Sequence, residues 1–514
     1  MKRLIAILAA VAVATSVTNA QQKFPRTQKE DTRGYMSEAY WAMWNDEEQA
    51  RIDNDIEQYR KADGEFTIEN VARGSEVKIE QISHEFKFGA HIFNYNQLGK
   101  TEYNDRYKEL YGTLFNSATI AFYWRTFETE PGRMRFATEY WDTEEYWNNC
   151  PNPYDQPHWR RPSTDQLVDF CNEKGIRAHG HVLIWGSRRW HHPEWLHNLM
   201  TPSERETFKR LFPNEPNRFR DEDAMSEEYK QMSPDEVAEH FGEYLDTLNK
   251  VFDNRIRIIA ERYKSRVQSW DVVNESAADY EKGVLIENHA VSKTRYGLMP
   301  GDMAYKALMS AKNYFPEEVK LNINDYHTNQ AYYDQISRLL ERGCKIDIAG
   351  LQMHLFNPQQ CIDIANGAKI QTPAQVRSTI GGISKLGLPL HLSEITITSP
   401  RNDEQGFMMQ AIIAQNLYRL WFSMENMMGI TWWNVVDNCG AKGEPSTSGI
   451  FSRDMKEKPV YHALNNLINN EWKTSLVTKT DKQGRVTFRG FKGNYRITWT
   501  DKKGHKQTME YYLK

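Results

Sequence analysis

Eight short apolar runs, separated by segments with helical spacing, limit what this chain can fold into more than any other feature of it. They are FKFGAHI (86–92), TIAFYW (119–124), IRAHGHVLIW (176–185), SWDVVNE (269–275), VKLNINDYH (319–327), IDIAGLQMH (346–354), LPLHLSEI (388–395) and MGITWWNVV (428–436). Patterns such as STDQLVDFCNEKG, AYKALMSAKNYF and QAYYDQISRLLERG precede several of them. Near-continuous apolar strands alternating with helices belong to α/β proteins with a covered parallel sheet, and a count of eight predicts a (β/α)8 barrel. No glycine-rich phosphate loop of the GxGxxG type opens a helix after any run, which argues against a nucleotide-binding open sheet.

In such a barrel the C-terminal strand ends form the mouth, where ligands bind. Six runs end in polar or aromatic groups that an apolar strand does not need: His181 with Trp185, Asn274 with Glu275, Asn324 with Asp325 and His327, Gln352 with His354, Glu394, and Trp433 with Asn434 and Asp437. A single strand-end acid is usually a solvated or salt-bridged group. Six such endings at one rim point to a site. Two carboxylates facing each other across the mouth suit glycosidic hydrolysis, in which one protonates the leaving oxygen and the other attacks the anomeric carbon or activates water. An Asn before the acid supplies an amide for a sugar 2-hydroxyl, a contact that strengthens at the transition state.

These stretches resemble glycoside hydrolase family 10, the retaining endo-β-1,4-xylanases, over roughly residues 85–465. WDVVNE is similar to the family's acid/base motif, which implies Glu275 as acid/base and Asn274 as the 2-hydroxyl partner. HLSEI is similar to the nucleophile strand and implies Glu394. GHVLIW resembles GHTLVW, placing His181 and Trp185 around the −1 sugar; LQMH resembles Q-x-H and adds Gln352 and His354; ITWWNVVD implies Trp433 as a ring floor. The resemblance implies a polysaccharide or oligosaccharide substrate and carboxyl groups about 5–5.5 Å apart, the retaining distance. It involves no cofactor and no metal; the pair His179-x-His181 lacks the acidic neighbours a zinc site would use.

The departures lie on the second run. Where the family has Glu-Asn-x-Met-Lys-Trp, this chain has Thr119-Ile120-Ala121-Phe122-Tyr123-Trp124. Gly186 stands for a His, Thr396 for an Asp, and Arg188 for a Gln. Arg188 with Arg189 has two readings, a clamp for a substrate carboxylate such as a uronic acid, or a rim salt bridge. The insertion Trp141–Trp159 either walls the cleft or packs on the barrel, and the charged run Thr201–Pro234 reads as a solvated insertion. A carbohydrate-binding protein without turnover is the alternative to a hydrolase.

The flanks complete the reading. Residues 1–20 have the basic start, apolar run and small-residue end of a cleaved signal, predicting a secreted or periplasmic protein. No Cys follows for a lipid anchor and no later segment is apolar enough for a membrane span. A net charge of −4 over 514 residues gives no general reason to expect nucleic acid. The five cysteines, odd in number and without CxxC spacing, disfavour a zinc ribbon or a disulfide scaffold and leave one bridge open. Aromatic residues, 12% of the chain, suit both a large core and sugar rings. The expected divisions are an extension at 21–84, a barrel at 85–468 and a β module at 469–514. Phe488, Phe491, Tyr495 and Trp499 in the last are expected to pack against the barrel rather than to form a sugar-binding face. The sequence sets no oligomeric state.

Overall fold

The computed structural model describes residues 23–187, 190–214, 224–294 and 297–514. Sixteen strands occur among them: β1 Lys61–Thr67, β2 Glu76–His84, β3 Lys87–His91, β4 Ser117–Ala121, β5 Arg177–Trp185, β6 Ser269–Asn274, β7 Val291–Thr294, β8 Gly297–Pro300, β9 Lys320–Asp325, β10 Ile348–Leu355, β11 Leu390–Ile397, β12 Met427–Trp432, β13 Ser475–Lys479, β14 Arg485–Phe491, β15 Gly493–Thr500 and β16 Lys506–Leu513.

Eight of these close a barrel in the order β3-β4-β5-β6-β9-β10-β11-β12, every neighbouring pair being parallel. All eight predicted runs supply a barrel strand. β4, β6 and β11 are buried along their whole length, as strands lined by side chains inside and helices outside must be. The helices start where the sequence provides caps: Ser233 and Glu236 form a capping box before Pro234–Tyr263, and Thr372 with Gln375 does the same before Pro373–Ser384. Gly180 pairs with Trp270 across β5 and β6, and a Cβ on Gly180 would lie 2.1 Å from that indole. The glycine makes room for the ring.

Outside the barrel the structure departs from several expectations. The N-terminal extension and the C-terminal segment build one β module together: β1 pairs with β14, and a four-stranded sheet runs β13-β2-β15-β16. Pairing between strands about 400 residues apart leaves no local trace in sequence. Phe488 and Tyr495, with Trp499 beside them, form this module's own core with Val77, Ile79 and Ile497; of the four aromatics, Phe491 joins the barrel's core. Trp472 seats the module, stacking on Phe422 at 4.1 Å between ring centres. The described residues of Thr201–Pro234 are packed rather than solvated, since Phe208, Leu211, Phe212 and Tyr229 are buried in the main core. Phe208 and Phe212, one helical turn apart, face inward together, and Glu204 is buried beside them, accepting the Tyr244 N–H at 2.9 Å. All five cysteines are free thiols. No described helix is long and apolar enough to cross a membrane.

Candidate active site

The site is built at the C-terminal ends of the barrel strands. Register shifts occur beside it in four pairs, β5–β6, β6–β9, β10–β11 and β11–β12. Such irregularities re-aim side chains at strand ends. One brings Gln352 opposite Glu394. Glu275 follows β6 with φ of 55°, in the left-handed region that costs a non-glycine residue about 1 kcal/mol or more. Its N–H donates to the Asn324 carbonyl at 2.8 Å, which holds the turn.

Asn324 links the two acids. Its amide nitrogen donates to Asn274 Oδ1 at 2.9 Å and to Glu394 Oε1 at 2.9 Å, while its oxygen accepts from Ser393 Oγ at 2.5 Å. Gln352 Nε2 lies 3.3 Å from both Asn274 Oδ1 and Glu275 Oε1. With its oxygen taken by two donors, Asn274 has its N–H2 group left to donate into the cavity that it lines. The other Glu394 oxygen is 3.3 Å from His354 Nε2, and Thr396 Oγ1 meets His354 Nδ1 at 2.9 Å. Thr396, in place of the family's Asp, therefore helps to orient the ring.

A buried acid lies behind this pair. Asp271 Oδ2 is 2.8 Å from His181 Nδ1 and 3.0 Å from His179 Nε2, and His181 Nε2 is 3.8 Å from Glu394 Oε1. Burial opposes a charge on His181, but the Asp271 hydrogen bond and the Glu394, Asp271 and Glu275 carboxylates outweigh it and raise its pKa above the usual value. His179 goes the other way: burial dominates and lowers it despite Asp271. Asp271 itself is pulled well down by the two imidazoles, against its burial. His181 is thus a cation-prone ring between two carboxylates. Among the described residues no group of three or more His, Cys, Asp or Glu is placed to hold a metal.

The cavity above has a volume of about 800 Å³. Trp433, Tyr123 and the half-buried Trp185 line one side, in contact with His181 at ring distances of 5.6 Å for Trp433 and 5.4 Å for Tyr123. Tyr326, Phe356 and Trp190 add exposed aromatic faces. Phe356 stacks on His354 at 4.3 Å and 8°.

Other strand-end residues serve the scaffold. Asp325 accepts the backbone N–H groups of Ala277 and His327, His327 pairs with Glu281, and Asp437 pairs with Lys458 in the interior. The second run ends as a strand at Ala121, and Thr119 and Ile120 are buried, so Tyr123 is its contribution to the cavity. Arg188, with Arg189, lies outside the described residues.

Sequence reasoning missed Arg160 and Arg161, which line the cavity directly after the aromatic insertion. The insertion's tryptophans do not line it; Trp147 and Trp159 pack together at 5.8 Å, with His158 against Trp147 at 5.7 Å. The available signal was an Arg-Arg pair ending a loop rich in anchoring aromatic residues.

The sequence model of Glycosyl hydrolase family 10 matches residues 80–467. The chain belongs to this family. Relatives include endo-1,4-beta-xylanase C of Paenibacillus barcinonensis, 25% identical over 373 residues, an alignment covering 65% of this chain and 28% of the relative. Endo-1,4-beta-xylanase A of Halalkalibacterium halodurans is also 25% identical, over 331 residues covering 59% of this chain and 72% of the relative. Xylanase 10B from Thermotoga petrophila RKU-1, solved in complex with xylobiose, superposes with a TM-score of 0.50 at 18% identity, covering 75% of this chain and 95% of that one. Native xylanase 10B from Thermotoga maritima gives a TM-score of 0.50 at 19% identity, covering 75% and 96%. At these identities the solved structures show the family 10 barrel, and the family is one of glycoside hydrolases.

Proposed function

We propose that this family 10 member is a retaining glycoside hydrolase that cleaves internal β-1,4 linkages of xylan or of a related decorated or acidic hemicellulose. The observation that carries the reading is the Asn324 amide, which joins Glu394 to Asn274 and, through Gln352, to Glu275. Two acids sharing one hydrogen-bond frame are what double displacement needs, and a protein that only binds sugar needs neither. The names of the family 10 relatives support xylan as the main chain.

In the first step a Glu394 oxygen attacks the anomeric carbon as Glu275 gives its proton to the departing glycosidic oxygen, leaving a glycosyl ester on Glu394 and a free aglycone alcohol. In the second step Glu275, now a carboxylate, takes a proton from water, the resulting oxygen attacks the anomeric carbon, and the Glu394 carboxylate leaves. Asn274 donates to the sugar 2-hydroxyl. His181 and His354, on opposite Glu394 oxygens, hold the nucleophile's plane. Trp433 supports the ring, with Trp185 and Gln352 around it. In this reading residues 85–468 form the catalytic barrel, and the signal at 1–20 directs the protein to the periplasm or the exterior.

The test is incubation with xylans and charged hemicelluloses, counting new reducing ends and following the first-formed anomer by proton NMR. New ends of β configuration support the reading. Inverted product contradicts the mechanism, and no new ends across the panel contradicts hydrolysis.

A further inference from the structure

The second barrel strand brings no charged group to the cavity, and an insertion fills the gap with two arginines. Arg160 is held by its backbone and by its terminal guanidinium nitrogens. Its N–H donates to Gln97 Oε1 at 2.7 Å, and Gln97 also binds the His158 carbonyl at 3.1 Å, clamping the end of the insertion to the loop after β3. Its guanidinium lies 3.2 Å from Asn434 Oδ1, 3.2 Å from His91 Nε2 and 3.7 Å from Glu444 Oε2. Arg160 is 3% exposed.

Arg161 differs in its partners. It lies 3.9 Å above the Tyr123 ring and 5.3 Å from the Phe93 ring, and one of its five N–H donors reaches the Arg160 carbonyl at 2.8 Å. Among the described residues no carboxylate pairs with it; Glu444, the acid whose charge it feels, is engaged by Arg160, Asn434 and the Ala441 N–H. Burial lowers its pKa to about 10, so it stays charged at neutral pH. A cation held over an aromatic ring, with most of its planar donor set uncommitted in a cavity shared with Glu275 and Glu394, is preorganised for a second planar, charged group.

We propose that Arg161, backed by Arg160, is a specificity-determining residue that binds the carboxylate of a uronic acid in the substrate. The inference deepens the proposed function and rests on it for the glycan context. A uronate entering this cavity meets the carboxylates of Glu394 and Glu444, and Arg161 supplies the opposite charge that admits it. Carboxylate and guanidinium match in a bidentate pair, which neither a neutral sugar nor a Lys in place of Arg161 reproduces. The carboxylate belongs either to a pendant side group or to the non-reducing end of the main chain.

The experiment compares two acidic oligosaccharides, one with a pendant and one with a terminal uronic acid, each against its carboxyl-reduced form. The full chain and its Arg161→Gln and Arg161→Lys variants are measured for kcat/KM. The expected result is a preference for one acidic substrate over its reduced form that falls roughly 10- to 100-fold in Arg161→Gln and is only partly kept in Arg161→Lys; which substrate shows it identifies the source. No preference in the parent protein, or an equal loss on acidic and reduced forms in the variant, overturns the proposal. Affinities of the same ligands for Glu394→Gln and for the double variant Glu394→Gln with Arg161→Gln give a readout independent of turnover. A carboxyl-dependent affinity that vanishes with Arg161 upholds the inference even if no substrate is cut, in which case the proposed hydrolysis alone fails.

Discussion

Asn324 Nδ2 lies 2.9 Å from Glu394 Oε1, and the same nitrogen lies 2.9 Å from Asn274 Oδ1. One amide thus holds both Glu394 and Asn274, the nucleophile and the 2-hydroxyl partner of the proposed mechanism. Asn324→Ala removes a hydrogen bond to a charged group, of about 1.5–3 kcal/mol, and frees Asn274 to turn. The expected outcome is a fall in kcat of roughly 10- to 100-fold with a smaller change in KM. Steady-state kinetics on one oligosaccharide reads this directly, and an unchanged kcat would remove Asn324 from the positioning role.

His181 links pH to both stability and the charge beside Glu394. Its folded pKa is raised, burial being outweighed by the Asp271 hydrogen bond and three carboxylate contributions. A raised cationic pKa gives stability that is present in full below the unfolded value of about 6.5 and is lost as pH rises through the folded value. The stability difference between the parent protein and His181→Asn should therefore shrink as pH rises from neutral into the alkaline range, as measured by denaturant unfolding. NMR titration of the His181 ring should place its midpoint above the usual value; a midpoint below it contradicts the assignment.

What the sequence showed and what it hid follow from the range of the interactions. The barrel was legible because each strand is a near-continuous apolar run, a local signal: SWDVVNE contains β6 whole, and LPLHLSEI holds most of β11. The strand ends were legible because polar atoms such as those of Asn274 and Glu394 are costly inside an apolar strand unless something uses them. Asn324 was visible as a strand end, but its two hydrogen bonds, to Asn274 and to Glu394, depend on register shifts between strands. Arg161 was hidden because its place over Tyr123 depends on where the insertion docks, and that is set by Gln97 in the loop after β3, which holds the neighbouring Arg160 N–H across 63 positions of sequence. The β module was split in two for the same reason, its sheet being closed by strands from both ends of the chain.

Gly350 tests how tightly the frame is packed. A Cβ there would lie 2.7 Å from Asn324 Oδ1 and 3.1 Å from the Ile323 carbonyl. Gly350→Ala should cost about 1–3 kcal/mol of stability by overpacking and, by displacing Asn324, lower kcat about tenfold or more. Thermal unfolding and kinetics on the same sample separate the two effects. A loss of stability with full kcat would show that Asn324 can move without consequence.

Glu275→Ala separates protonation from attack. Substrates with poor leaving groups need the proton, whereas activated aryl glycosides depart with little help. The variant should therefore lose roughly 100-fold or more in kcat/KM on an oligosaccharide and much less on an aryl glycoside. Equal losses would take the acid role away from Glu275.

The most direct test of the account traps the covalent intermediate. A 2-deoxy-2-fluoro β-glycoside of a xylooligosaccharide with a good leaving group slows both steps, and hydrolysis of the glycosyl ester more than its formation, so the ester accumulates. Digestion and mass spectrometry of the labelled protein should place one glycosyl group on Glu394, in the peptide carrying HLSEI, with release restored by added acceptor sugar. A label on another residue, or turnover of the natural substrate with inversion and no label, would contradict Glu394 as the nucleophile of a retaining enzyme.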